Sequence, residues 1–386
     1  MLYTPILLLA TALQLSTTPS FEEQVIDAEV AIGYGVAIGD VDGDEKPDIL
    51  LADKKAFVWY RNGDWKKFVM AENLTVSDNV CIAARDLDGD GKVEVAVGAQ
   101  WNPGETSETE KSGAVFYLIR PSDPTQKWTP KTLHHEPTTH RMRWIKSGET
   151  AHLIVVPLHG RGNAGGEGAG VKVIAYEFPS DPAGDWKYEI IEESMHLTHN
   201  LEVIGEESKN SILIGGKEGV MFLKNQGSNW KKEKINLPTN PSVGELRLGR
   251  SSKNRKFLTT IESIHGTTLV AYEGLDQNLN SEELERIVLQ TQLKEGHALV
   301  AADFLGIGSD QIAVGWRLPN EAGEFGVKLF VPKNGSFSEF EEHWIDKNGM
   351  ACEDLQAADL DGDGKPELIA SGRSTKNLKI YWNKSK

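Results

Sequence analysis

Cysteine is nearly absent. Cys81 and Cys352 are the only two in 386 residues, too few for a disulfide framework. Both fall in segments expected to be inner strands, where a free thiol behaves as a small buried apolar side chain. Positive charge is also scarce: 41 Lys and Arg face 57 Asp and Glu, for a formal net charge of −16. No nucleic-acid partner is expected, because phosphate binding needs clustered basic side chains on one face. No apolar run is long enough to cross a bilayer twice. An apolar stretch at 5–15, followed by small polar residues at 16–20, reads as a signal peptide over 1–20, although it lacks a leading Lys or Arg and a clear A-x-A site. No cysteine follows it, so no lipid anchor is indicated. The mature chain is expected to be exported, periplasmic or secreted, and off the membrane once the signal is removed.

Glycine, at 38 residues, and internal similarity are what the chain has in quantity. Segment 350–383 contains a short strand (DLQAAD), an acidic turn (DLDGDGKPE), a second strand (LIAS), a polar loop with Arg373, and a third strand (LKIYW). The same order restarts near Gly35, Val80, His140, His199, Glu245 and His297. Fourth strands open at Trp65, Trp128, Trp186, Trp230 and near Trp344, at repeat spacing, so these tryptophans are read as structural. Seven four-stranded antiparallel meanders predict an all-β, seven-bladed β-propeller filling 21–386 as a single domain. The last repeat stops after its third strand. Because FEEQVID at 21–27 matches FEEHWID at 340–346, the strand Phe21–Asp27 is expected to complete the last blade and close the ring.

Asp40, Asp42, Asp44 and Asp48 form D-x-D-G-D-x-x-x-D, with the Lys46 carbonyl at the remaining odd position. Alternate residues of such a turn converge their oxygens on a hard cation, and glycine permits the bend. The turn recurs as Asp86, Asp88, Asp90 and Glu94, and again as Asp359, Asp361, Asp363 and Glu367. Structural Ca²⁺ is expected in all three. With these turns the chain resembles the FG-GAP or VCBS repeat family of calcium-binding propellers, a motif specific for fold and weak for function.

The turns join first and second strands, so they lie opposite the face where first strands begin. Counting six residues back from the first Asp of each turn, or its aligned equivalent, gives Tyr34, Val80, His140, His199, Glu245, His297 and Glu353. These should ring the mouth of the central channel, where packing alone would favour small apolar residues. Loops between second and third strands emerge on the same face and carry Trp101, His159, Arg161, Lys217, Glu262, His265, Trp316, Arg317 and Arg373. Singly, each has an ordinary reading as a packed or surface residue. Together they supply bases, metal ligands, charged donors and aromatic platforms for a sugar ring.

The stretches PTTHRMRW, VVPLHGRG, MHLTHN, ELRLGR, TIESIHG, EGHALVAADF and GMACEDLQAADLDGDG resemble the propeller domain of the aldos-2-ulose dehydratase family, from about 21 to 383. That resemblance implies removal of water from keto-sugars such as 1,5-anhydrofructose and glucosone. The cupin domains that follow the propeller in the fungal enzymes are not in this sequence, so an isomerase step tied to them is not implied. The expected activity is a metal-assisted carbon–oxygen lyase, by dehydration or β-elimination, on a keto-sugar or oxidised glycoside. His140, His199 and His297 are the expected ligands of Zn²⁺ or another divalent transition metal, since they share one ring. His159 and His265 are acid/base candidates, with Glu245 and Glu353 as acidic partners and Arg317 and Arg373 neutralising developing charge. Tyr34, Trp101, Arg161, Glu262 and Trp316 are expected to contact the sugar. Two adjacent loop histidines holding the metal remain an alternative. So do a polysaccharide lyase acting on uronate-containing glycans, which would favour a long basic groove, and a non-catalytic carbohydrate- or protein-binding propeller. The sequence leaves the oligomeric state open.

Overall fold

Several middle strands are buried along their whole length, among them Asp48–Ala52, Glu94–Ala99, Ser211–Gly216, Gln311–Trp316 and Glu367–Gly372. An antiparallel sheet packed on one side would leave every second residue wet, so these runs require a neighbouring sheet on each face. The computed structural model supplies them. It describes residues 18–386 apart from 149, 205–210, 228, 253–254, 282 and 334–335, and folds them into seven four-stranded antiparallel sheets. The segment 5–15, expected as an export signal, lies outside the described residues. Among them, the one helical element is a 3₁₀ turn at Thr109–Lys111.

The sheets are blades of a propeller. Their innermost strands are Gly35–Gly39, Cys81–Arg85, Thr139–Ser147, Thr198–Ile204, Val243–Ser252, Gly296–Ala302 and Cys352–Ala358, in blades 1 to 7. Each packs beside the next, and the seventh packs beside the first. Apolar clusters fill the spaces between blades. Leu50 and Trp59 of blade 1 meet Val95 and Phe116 of blade 2, and Ile49 and Tyr60 meet Ile369 and Ile380 of blade 7 on the other side. Each large aliphatic side chain buried this way contributes roughly 1.5–3 kcal/mol, so the stack of blades, rather than any single sheet, is the stable unit.

Phe21–Asp27 is the outer strand of blade 7, running antiparallel to Leu378–Asn383 with Phe21 opposite Asn383. Asp27 then leaves that strand and accepts hydrogen bonds from Tyr60 (2.6 Å) and Lys67 (2.8 Å) of blade 1. The two cysteines fill small gaps. Cys81 lies opposite Gly98, Cys352 lies against Gly315, and a Cβ on either glycine would overlap the sulfur.

Candidate active site at the channel mouth

Five innermost strands break register at their first turn toward the mouth. The partner strand is skipped at His140, within His199–Asn200, at Gly244, at His297 and at Glu353. A bulge sets two residues against one and re-aims a side chain, which is how polar residues at a core-like position turn toward the channel. It also leaves carbonyls without a ladder partner, and imidazoles take them up. His140 Nδ1 lies 2.8 Å from the His199 carbonyl. His199 Nδ1 lies 3.2 Å from the Gly244 carbonyl, and His297 Nδ1 lies 2.6 Å from the Glu353 carbonyl. A carbonyl only accepts, so each Nδ1 carries the proton and each Nε2 offers a lone pair. Every one of these rings therefore hangs from the bulge of the next polar blade.

His265 enters from the loop between the second and third strands of blade 5. The approach depends on Gly244, where a Cβ would sit 2.0 Å from the Ile264 carbonyl oxygen. With that room, His265 Nε2 comes within 2.6 Å of His199 Nε2. Arg317 lies 3.1 Å from His265 Nδ1, and because a guanidinium only donates, Nδ1 accepts and the ring proton is on Nε2, shared with His199. One ligand nitrogen from each of His199, His265 and His297 falls within 4.8 Å of the others. The convergent trio thus takes His265 where the sequence pattern suggested His140. The His140 ring instead stacks on Trp101 at 5.0 Å between centroids, and its Nε2 faces the Arg141 guanidinium at 3.1 Å.

Burial dominates the electrostatics of the cluster. It holds His140 and His297 well below the ordinary imidazole value, aided by Arg141 beside one and Arg317 beside the other. Burial, His199 and Arg317 together push His265 down to about 2, and His199 is lowered too, mainly by burial. All four rings are neutral, the form that binds a metal ion or accepts a proton. Glu245 is buried beside them. Burial raises its carboxyl, yet His199 and the nearby Arg247 and Arg141 outweigh this and keep it ionised. Its oxygens meet His199 Nδ1 at 3.1 Å and the Asn200 amide at 2.5 Å.

A second group of charges completes the mouth. Glu353 accepts from Arg317 and from Arg373, each at 3.0 Å, and Arg317 also pairs with Glu295. Arg373 lies over the Tyr34 ring at 5.4 Å, and the Tyr34 hydroxyl donates to Asp78 at 3.0 Å. Tyr34 is pushed up to about 12, by burial first and by Asp78 second, so it remains a donor.

Other residues expected here are occupied elsewhere. Trp316 is 1% exposed, stacks near Trp344 and donates its indole N–H to the Glu324 carbonyl, so it presents no free face. Glu262 is buried and holds Tyr272 and Arg286. Arg161 makes two bonds to Glu136, at 3.0 and 2.9 Å. His159 is half-buried in an isolated bridge with Leu197, and its Nδ1 has no partner. Asn200, Glu295 and Asp78 were not singled out from the sequence. Asn200 and Asp78 sit one or two residues from the repeat column, so scanning its neighbours for polar side chains would have found them.

On the opposite face the three acidic turns close on themselves. Asp40, Asp42 and Asp48 bring oxygens within 4.8 Å of one another, as do Asp86, Asp88 and Asp90, and Asp359, Asp361 and Glu367. Asp44, Glu94 and Asp363 are not in those converging sets. Asp363 Oδ1 accepts Lys365 N, and Glu94 Oε2 accepts Leu87 N. Burial raises Asp48 and Glu94 each to about 7, in the case of Glu94 despite Arg120 3.8 Å away. An all-oxygen set in a glycine turn suits a hard cation such as Ca²⁺.

The chain matches the family model of the aldos-2-ulose dehydratase β-propeller domain over residues 112–274, and that of the FG-GAP-like repeat over 40–97. The first match covers the bulges of blades 3, 4 and 5 and the His265 loop. This chain resembles the aldos-2-ulose dehydratase propeller. The aldos-2-ulose dehydratase of Phanerodontia chrysosporium is 23% identical over 309 residues, covering 73% of this chain and 34% of that protein. The chain therefore spans about a third of that dehydratase. Among solved structures, a chain of BBS1N in complex with ARL6DN has a TM-score of 0.56 at 15% identity, covering 95% of this chain and 97% of its own. A chain of the Mitotic Checkpoint Complex has a TM-score of 0.57 at 12% identity, covering 99% and 96%. These two share the fold with this chain and nothing further follows from them.

Proposed function

We propose that the channel mouth eliminates water, or a sugar substituent, from a keto-sugar, as a metal-assisted carbon–oxygen lyase. The observation that carries this reading is the convergence of His199, His265 and His297, with two rings oriented by bulge carbonyls so that Nε2 faces inward. That is the orientation ligating imidazoles take when their other nitrogen is tied to a carbonyl. The trio fits Zn²⁺ or a similar divalent ion, which when bound would polarise the substrate carbonyl and make the neighbouring C–H acidic. The aldos-2-ulose dehydratase of Phanerodontia chrysosporium is, by its name, a dehydratase of a keto-sugar.

The chain's own residues then divide the work. His140, neutral and stacked on Trp101, is a base beside the trio once substrate displaces the Arg141 N–H that faces its Nε2 at 3.1 Å; Nε2 then takes the α-proton while Nδ1–H stays on the His199 carbonyl. Arg317 and Arg373, pinned by Glu353, place two cations where negative charge collects on the enolate oxygen. Tyr34, held protonated, becomes a donor for the departing oxygen by turning its O–H away from Asp78. For His265 to offer Nε2 to an ion, its proton would have to sit on Nδ1, with Glu295 Oε2 3.4 Å away as acceptor in place of the Arg317 donor that now faces that nitrogen. The acidic turns are proposed to hold structural Ca²⁺. Incubating the protein with an aldos-2-ulose such as glucosone tests the reading. Growth of an ultraviolet-absorbing enone supports it. No turnover by protein carrying a full equivalent of transition metal counts against it.

A further inference from the structure

Below the histidines the bore of the propeller carries arginine. Arg143 is on the innermost strand of blade 3, Thr139–Ser147, and Arg85 ends that of blade 2, Cys81–Arg85. Both line a cavity of about 230 Å³ whose walls are otherwise Val36, Ile38, Ile82, Val203 and small apolar neighbours, with one amide, Gln356. Neither guanidinium belongs to an ion pair among the described residues. Arg143 donates to the carbonyl of its own neighbour Met142 at 2.8 Å, and Arg85 reaches the Trp144 carbonyl at 3.5 Å. Most of their ten N–H donors are left to whatever fills the cavity.

Asp354 and Glu202 act on Arg143 electrostatically, but among the described residues neither closes an ion pair with it. Asp354 gives its two oxygens to the backbone, accepting Val36 N at 2.8 Å and Leu355 N at 2.9 Å. Glu202 lies 3.8 Å from Arg247, itself a further cation of the same bore. Glu245 is held by His199 and Asn200 at the mouth. Arginine does not escape by losing its proton, and guanidinium donors left without hydrogen-bond partners against apolar walls are costly. In a chain with a formal charge of −16, a pocket that gathers guanidiniums is not a by-product of composition.

We propose that this cavity is a binding site for a small anion, held by Arg143, Arg85 and the Gln356 amide from blades 3, 2 and 7. The donors come from three blades, so the anion ties inner strands together across the bore. It is separate from the chemistry at the mouth and does not depend on it. The cavity admits a halide or a carboxylate- or sulfate-sized oxyanion with a few waters, and two probes separate these.

Crystals of the full chain grown with millimolar bromide, and others with sulfate, are measured at the bromine edge and by difference density. A peak between Arg143 and Arg85 in either supports the site and tells halide from oxyanion. In solution, the thermal midpoint should rise with the probe anion above an equal ionic strength of sodium gluconate. That rise should vanish in Arg143→Met and shrink in Arg85→Met, while Arg61→Met, at an exposed ion pair with Asp64, keeps it. Should Arg143→Met fail to fold, Arg85→Met and the wild-type map still decide. An empty bore in both crystal forms, density only at molar salt, or identical anion responses in wild type and variants would overturn the proposal.

Discussion

At the scale of single residues, the site depends on which imidazole nitrogen holds the proton. His199 and His297 are fixed by the carbonyls of Gly244 and Glu353, so their Nε2 atoms carry the lone pairs, that of His199 now facing His265. His140 is fixed in the same way, but its Nε2 already faces Arg141. The three rings should therefore respond differently. His199→Ala and His297→Ala are expected to lose stoichiometric transition metal on elemental analysis, with activity falling to background. His140→Ala should keep the metal and lose roughly 10²–10⁴-fold in kcat/KM, the range for a general base. Equal metal loss in all three would return His140 to the ligand set.

At the scale of elements, the bulges do what the repeat count could not reveal. Spacing six residues back from each acidic turn located His140, His199, Glu245, His297 and Glu353, because a propeller repeats its strand lengths. Spacing carries no record of the register breaks in five of the inner strands, nor of the loop that drops His265 onto His199. The fit between Gly244 and the Ile264 carbonyl is backbone against backbone, a contact with no signature in local sequence. Trp316 was misleading for the opposite reason. Its position in a mouth-facing loop is right, but its ring turns back to Trp344 and a carbonyl acceptor. Gly244→Ala should therefore push the His265 loop outward, cutting metal affinity and turnover at least tenfold while the β-sheet circular dichroism stays unchanged. Unaltered metal affinity would show that the close approach is dispensable.

The closing strand Phe21–Asp27 offers a pH test at the same scale. Burial would raise the Asp27 carboxyl, but hydrogen bonds from Lys67, Tyr60 and the Glu29 N–H outweigh it and hold the group below 3.8. A depressed carboxyl stabilises the fold above its unfolded value and loses that contribution as pH falls through its folded value. Closure should then weaken on acidification below about pH 4. Asp27→Asn should lower stability at pH 7 by roughly 1–3 kcal/mol and flatten this part of the pH dependence. Urea unfolding at pH 7 and pH 3 measures both, and a variant with the wild-type pH slope would remove Asp27 from the clasp.

For the whole molecule, the proposed function divides support and chemistry between the two faces. The acidic turns join strands on one face, and the histidine cluster lies at the other end of the same strands. The calcium-selective chelator EGTA should lower the thermal midpoint by several degrees, and Asp361→Asn should remove one of three bound Ca²⁺ without changing the transition-metal content. Simultaneous loss of both metals from Asp361→Asn would mean the faces are not independent. The blade count was legible because the order of strands and turns recurs seven times, and ring closure because FEEQVID at 21–27 matches FEEHWID at 340–346. The site was legible only as a list of polar residues on one face.

The most direct test of the account is turnover of glucosone followed by ultraviolet absorbance, with the wild-type protein beside His297→Ala, both holding full calcium. The account predicts enone growth in proportion to transition-metal content for the wild type and none above background for the variant. A wild type that carries the metal and forms no enone, or a variant that turns over at the wild-type rate, would contradict it.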